Sequence, residues 1–281
     1  MTQLSAETRP LVPLGGPTRI AGLVSRPRPI AIACIAVLAA AGWGYLLFSA
    51  GVDRTGGAAA FLDAMCRAMP ASGSGVTAAA FILAMWVAMT LAMMLPTAGP
   101  MILTYAEIAE TAARKGERIV SPQVLIAGYM AVWLGFSLLA TGIQLGLMSA
   151  ASLPGAAALA YPASGLLLIA AGAYQFSSLK QVCLRVCQRP FSFFFLNWTD
   201  RPAGVFRLGL RQGLYCLGCC GAMMLLMFAA GAMNLVWMAL LGIMMTIEKM
   251  NVLRFFSHAA GAAFVAAGGL TLALWGLHVV G

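Results

Sequence analysis

Cys183 and Cys187 stand four residues apart, and Cys216, Cys219 and Cys220 stand at i, i+3 and i+4. Five of the seven cysteines in this 281-residue chain therefore fall in two tight groups. Residues three or four apart on a helix share a face, so each group is a row of thiols on one side of its helix. Met223 and Met227 continue the second row past Cys220. Thiolate and thioether are soft donors that suit Cu(I), with zinc accepted by thiolates. Cu(I) tolerates two or three sulfur ligands, whereas structural zinc takes four in a tetrahedron. The expected metal ligands are Cys183, Cys187, Cys216, Cys219 and Cys220. Met93, Met94, Met223, Met227, Glu248 and His258 form a second tier of candidates. Cu(I) is the favoured ion and zinc the alternative.

A lone buried Cys or Met usually acts as a small or adaptable hydrophobe. That is the reading for Cys34, and for the Met85, Met89 and Met93 stripe as packing. Cys66 stands alone and is uninformative.

The elements that must carry these residues follow from composition. Hydrophobic residues make up 62% of the chain and charged residues 9%, against about 25% charged in an ordinary soluble domain. Too few polar residues remain to cover a water-exposed surface. The chain reads as all-α, a polytopic transmembrane helical bundle, because about 20 apolar residues span a bilayer core as a helix. Seven spans are expected, at 29–50, 76–105, 124–150, 161–179, 210–230, 235–254 and 259–279. A short turn at 231–234 makes the fifth and sixth a tight antiparallel pair. Pro96 and Pro100 should kink the second span and free backbone carbonyls there. Residues 1–28, with four prolines and little periodicity, form a flexible cytoplasmic tail, and 29–281 form a single transmembrane domain.

Orientation follows from the lysines and arginines. With the amino terminus in the cytoplasm, only Arg54 and Arg67 of the 17 basic residues fall outside. The net charge of +9 is then a matter of topology and of anionic headgroups at the inner face, with no nucleic-acid partner required. The first span is too long for a signal-peptide core and reads as a retained anchor. The segment 183–209 mixes four arginines with Phe191, Phe193, Phe194, Phe195, Trp198 and Phe206. Such a mixture suits the headgroup layer, so the segment should either lie on the inner surface, beginning as an extension of the fourth helix, or form an ordinary positive loop. Both cysteine groups then fall at one depth, in a reducing compartment that keeps thiols free. Arg185, Arg189 and Arg211 should lower the thiol pKa. Lys249 should snorkel to the surface. Glu248, neighbouring it in sequence but not in direction, should need an internal partner such as Lys180, an arginine or a cation.

The chain has no phosphate-binding loop, no catalytic constellation and no evident internal repeat. An enzyme is not expected. Three functions remain: soft-metal handling or translocation, a structural or assembly subunit of a membrane complex, and a membrane thiol-redox protein. The lack of an external C-x-x-C partner weighs against the third. A soluble metal chaperone or a complex partner is an expected contact on the basic inner face.

Several motifs in order carry a resemblance. They are Met85-Trp86, the run Ala92-Met93-Met94-Leu95-Pro96, Leu179-Lys180, Cys183, Cys187-Gln188-Arg189-Pro190 and Gly213-Leu214-Tyr215-Cys216-Leu217-Gly218-Cys219-Cys220. Met233-Asn234-Leu235, Trp237-Met238 and Glu248-Lys249 complete the series. On these the chain resembles a bacterial family of predicted metal-binding integral membrane proteins, a domain of unknown function. The resemblance implies a multi-span fold with a metal site, in the bacterial inner (cytoplasmic) membrane. Many members of that family carry Trp after the double cysteine, where this chain has Gly221.

Overall fold

A computed structural model describes residues 27–49, 76–151, 156–228, 235–250 and 254–280. The tail at 1–26, Cys66 and the turn at 231–234 lie outside the described residues. Every regular element among the described residues is a helix. They are α1 (Pro27–Ser49), α2 (Val76–Met89), α3 (Gly99–Arg114), α4 (Pro122–Ala151), α5 (Ala156–Gln175), α6 (Ser178–Gln188), α7 (Pro190–Leu196), α8 (Pro202–Leu225), α9 (Leu235–Lys249) and α10 (Arg254–Val280).

Among the described residues, five stretches are long and apolar enough to cross a membrane: Arg28–Leu47, Val76–Thr97, Pro122–Ala150, Pro202–Phe228 and Phe255–Leu277. The spans expected at 161–179 and 235–254 are not among the five. The 15 residues of α9 reach about 22 Å at about 1.5 Å each, short of a hydrocarbon core of about 30 Å.

The second expected span breaks at its prolines. After α2 the chain passes through a π-helical turn, Thr90–Met94, and one α-turn, Leu95–Thr97, before α3 begins. Pro96 has no N–H to offer Ala92, and Trp43 of α1 donates to that carbonyl at 3.1 Å instead. The Met94 carbonyl gathers three donors: Ala98 N at 3.1 Å, Thr97 Oγ1 at 2.9 Å and Tyr129 Oη of α4 at 3.1 Å. The kink is thus tied into the bundle through the Ala92 carbonyl it frees and the Met94 carbonyl beside it.

Two expected boundaries move. The fourth helix does not continue to the cysteines, because Ser177 stops it and caps α6, its side chain accepting from Lys180 N at 3.2 Å. A serine at this position satisfies an orphan N–H and starts a helix in a new direction. The fifth expected span begins earlier, at Pro202, since proline is well suited to the first turn. The segment 183–209 is therefore three helical pieces rather than one surface strip. Phe194 of α7 is fully buried, edge-on to Tyr105 with ring centroids 5.5 Å apart, whereas Phe191, Phe195 and Leu196 face outward.

One close approach sets the site. Gly128 of α4 and Gly209 of α8 meet where any Cβ would run into the opposing backbone, at Phe206 O and Leu125 O respectively. Two glycines let these helices touch, and the contact carries Tyr129 up against the cysteines of α8.

Candidate metal centre

The α8 spacing does locally what helical periodicity requires. Cys216, Cys219 and Cys220 are all about 1% exposed, and their sulfur atoms lie within 4.8 Å of one another. Cys219 Sγ is 3.3 Å from Cys220 Sγ, and it donates to the Cys216 carbonyl at 3.2 Å. From α6, Cys187 Sγ comes within 3.9 Å of Cys219 Sγ. Two sulfurs bound to one ion at about 2.3 Å each must lie within roughly 4.6 Å of one another. The Cys219–Cys220 and Cys187–Cys219 spacings satisfy that bound, and the α8 trio as a whole lies within 4.8 Å. Three α8 thiols thus share one small volume, and a fourth thiol from α6 reaches it at Cys219.

Cys183, one turn before Cys187, faces the same helix at a different place. Its sulfur occupies the hollow over Gly218, where a Cβ would lie 2.6 Å from it. Burial pushes the Cys183 thiol up from its ordinary value. The expectation that neighbouring arginines lower it is overturned there: Arg185 turns to the Gln181 carbonyl at 3.2 Å, and Arg211 to Asn197 Oδ1 at 3.3 Å. Desolvation therefore prevails over a distant, solvated charge.

The groups around the sulfurs come from four other places in the chain. Tyr129 Oη stands 3.0 Å from Cys216 Sγ. Tyr174 of α5 donates to the Gly218 carbonyl at 2.6 Å, holding the backbone between Cys216 and Cys219. Lys249, in the last turn of α9, donates to Cys216 Sγ at 3.1 Å and to Thr97 Oγ1 at 2.7 Å. Snorkelling is overturned for this residue, because its ammonium turns inward to the thiols and is buried. A cavity of about 20 Å³ touches Cys187, Cys216, Lys249, Tyr129, Gln212 and Met101. That is room for about one water-sized sphere. Gln212 Oε1 is buried at this cavity with no hydrogen-bond partner among the described residues.

Glu248 points away from Lys249, as adjacent helical positions must. Its carboxylate accepts from Lys180 Nζ at 2.8 and 2.9 Å and from Ser257 Oγ at 2.8 Å. Lys180 also donates to Gln175 Oε1, and Gln188 donates to the Glu248 carbonyl at 2.8 Å. The internal partner expected for Glu248 is thus Lys180 of α6. The same short helix supplies Cys187 to the thiols and Lys180 to the carboxylate. His258 lies on the Glu248 side, its ring 5.5 Å from Phe176, on a cavity of about 290 Å³ shared with Gln181, Arg185, Gln188 and Glu248. Met93, Met94, Met223 and Met227 are all buried in the continuous core that also contains the thiols. Met94 serves the site through its backbone carbonyl, which holds Tyr129.

Sequence reasoning did not find Thr97, Tyr129, Gln212 or Tyr174 as site neighbours. The only available signal for Thr97 was its place beside the kink-forming Pro96. Tyr129 had none, since its role depends on the approach of α4 to α8.

Unpaired soft donors in this arrangement can hold a thiophilic ion, and the comparison with known proteins points the same way. No curated protein and no solved structure matches the chain. The sequence pattern of a family described as copper chaperone (PpoB2) matches residues 83–278, which is more than two thirds of the chain and includes all five grouped cysteines. The chain belongs to this copper chaperone family.

Proposed function

We propose that this protein is an integral membrane copper carrier that takes Cu(I) at Cys187, Cys216, Cys219 and Cys220 and passes it into or across the bilayer. One observation carries the reading: a thiol from α6 and a thiol from α8 stand 3.9 Å apart, beside two further α8 thiols. Soft sulfur donors favour Cu(I), and the family description concerns copper. Cys183, one turn away on α6, is a second-stage donor for an ion leaving or reaching the four. Met223 and Met227 extend the α8 face into the apolar core and suit a thioether route onward. Glu248 and His258 line a separate cavity with Gln181, Arg185 and Gln188 and are a lesser reading as ligands.

The membrane setting rests on five long apolar helices, with the 20-residue α5 as a further span and the shorter α9 entering the bilayer without crossing it. The amino terminus lies inside, the thiols lie near the cytoplasmic face of a bacterial inner membrane, and anionic headgroups meet the basic segments. A soluble copper donor or acceptor docks on that face. Zinc is the alternative ion, because thiolates also accept it.

Metal analysis of the detergent-purified protein after Cu(I) loading tests the reading. The native chain should retain about one copper, and Cys219→Ser/Cys220→Ser should retain almost none. Equal, negligible metal in both would overturn copper handling and leave a structural subunit as the better account. A mixed disulfide trapped on Cys219 or Cys220 would point instead to thiol exchange.

A further inference from the structure

Lys249 is the one feature of the centre that sulfur chemistry does not require. Among the described residues the ion pairs are Arg28–Glu107, Arg114–Glu110 and Lys180–Glu248, and none includes it. The nearest carboxylate in sequence, Glu248, is taken by Lys180 and Ser257 on the far side of α9. The Lys249 ammonium instead contacts Cys216 Sγ at 3.1 Å and Thr97 Oγ1 at 2.7 Å, buried beside the cavity of about 20 Å³. A buried ammonium is retained only with compensation, and here the partner it touches is a sulfur atom.

We infer that Lys249 is a specificity-determining residue that biases the thiol centre toward a monovalent soft ion and against divalent ones. The inference rests on the proposed metal-binding role of the four cysteines and adds the basis of ion choice. Its physical content is simple. Metal-bound thiols are deprotonated, so the anionic ligands are the same for either ion. The fixed positive charge then repels the bound ion in proportion to the ion's own charge. A dication meets twice the repulsion that Cu(I) meets, in a buried site where little water screens it. Nothing in the sulfur ligand set itself opposes zinc, since thiolates accept zinc as well as Cu(I).

Affinities for Cu(I) and Zn(II), each by competition with a chromophoric chelator on the detergent-purified full chain, test this. Lys249→Met removes the charge at similar length, and Lys249→Gln removes it while keeping a donor toward Thr97 and Cys216. Each should shift the Cu(I)-to-Zn(II) affinity ratio toward zinc by about tenfold or more. Gln212→Glu provides a third route that leaves Lys249 in place. It is near-isosteric, lines the same cavity, and sets a carboxylate against the ammonium, so the ratio should move in the same direction. A ratio within about twofold of native in Gln212→Glu and in whichever Lys249 variants fold overturns the inference while leaving copper binding intact. Failure of the native chain to bind either ion would instead defeat the proposed function.

Discussion

Two neighbouring parts of the buried bundle are built from opposite materials. Around Trp86 the interior is aromatic: its ring lies 5.9 Å from Phe136 and 5.1 Å from Phe228, and Trp133 lies 5.4 Å from Phe136. The side-chain hydrogen bond across helices here is Trp86 Nε1 donating to Gln144 Oε1 at 2.8 Å, while Ser137 and Thr141 donate to carbonyls of their own helix. Seven residues back along α4, about 10 Å at about 1.5 Å per residue, Tyr129 enters a region of four thiols, two buried lysines and a buried glutamate. Aromatic packing is stabilising wherever it is placed. Buried charges are not, since replacing an ion pair with well-packed apolar groups often costs a protein nothing. The aromatic region therefore accounts for stability, and the thiol region persists for its chemistry.

That contrast can be broken experimentally, and the largest effect should be on copper. Cys219→Ser/Cys220→Ser should lower Cu(I) affinity by more than about a hundredfold, since losing a mere supporting group around a metal already costs 10–100-fold. Trp86→Ala should do the reverse, leaving copper bound per folded molecule unchanged while lowering stability by about 3–5 kcal/mol. Metal analysis paired with denaturant unfolding checks both, and comparable copper loss in the two variants would erase the distinction.

Within the thiol region, the Lys180–Glu248 pair should behave as structure. Lys180→Met leaves a buried carboxylate without its cation and should cost about 3–5 kcal/mol. Adding Glu248→Gln should return most of it, which a double-mutant cycle would reveal. In the aromatic region, Gln144→Leu strands the Trp86 N–H and should cost about 1–3 kcal/mol, with tryptophan fluorescence reporting the change. The smallest effect belongs to Tyr129→Phe. Met94 O keeps its other two donors, so stability should fall by only about 1 kcal/mol. Copper affinity should still drop by about tenfold, as for a group supporting a ligand.

Much of the bundle was legible because hydrophobic length and proline chemistry are local. The helical class, the break near Pro96 and the shared face of Cys216, Cys219 and Cys220 all follow from spacings along one stretch of chain. The boundaries at Ser177 and Pro202 were less legible, because an apolar run does not announce where a cap or a proline will restart it. Lys249 was misread for a deeper reason. A lysine near a helix end ordinarily reaches water, and only the position of α9 beside the kink and α8 turns it inward.

The sequence alone therefore determined the ligand chemistry, the all-helical class and the pairing of cysteines along each helix, because these depend on residue type and a 3.6-residue period. Tertiary structure decided that Cys187 joins the α8 thiols while Cys183 packs over Gly218, and that Lys249 takes the thiols and Glu248 takes Lys180. Those choices depend on how closely α4, α6, α8 and α9 approach one another. Small residues such as Gly128 and Gly209 permit that approach, but no single segment of sequence specifies it.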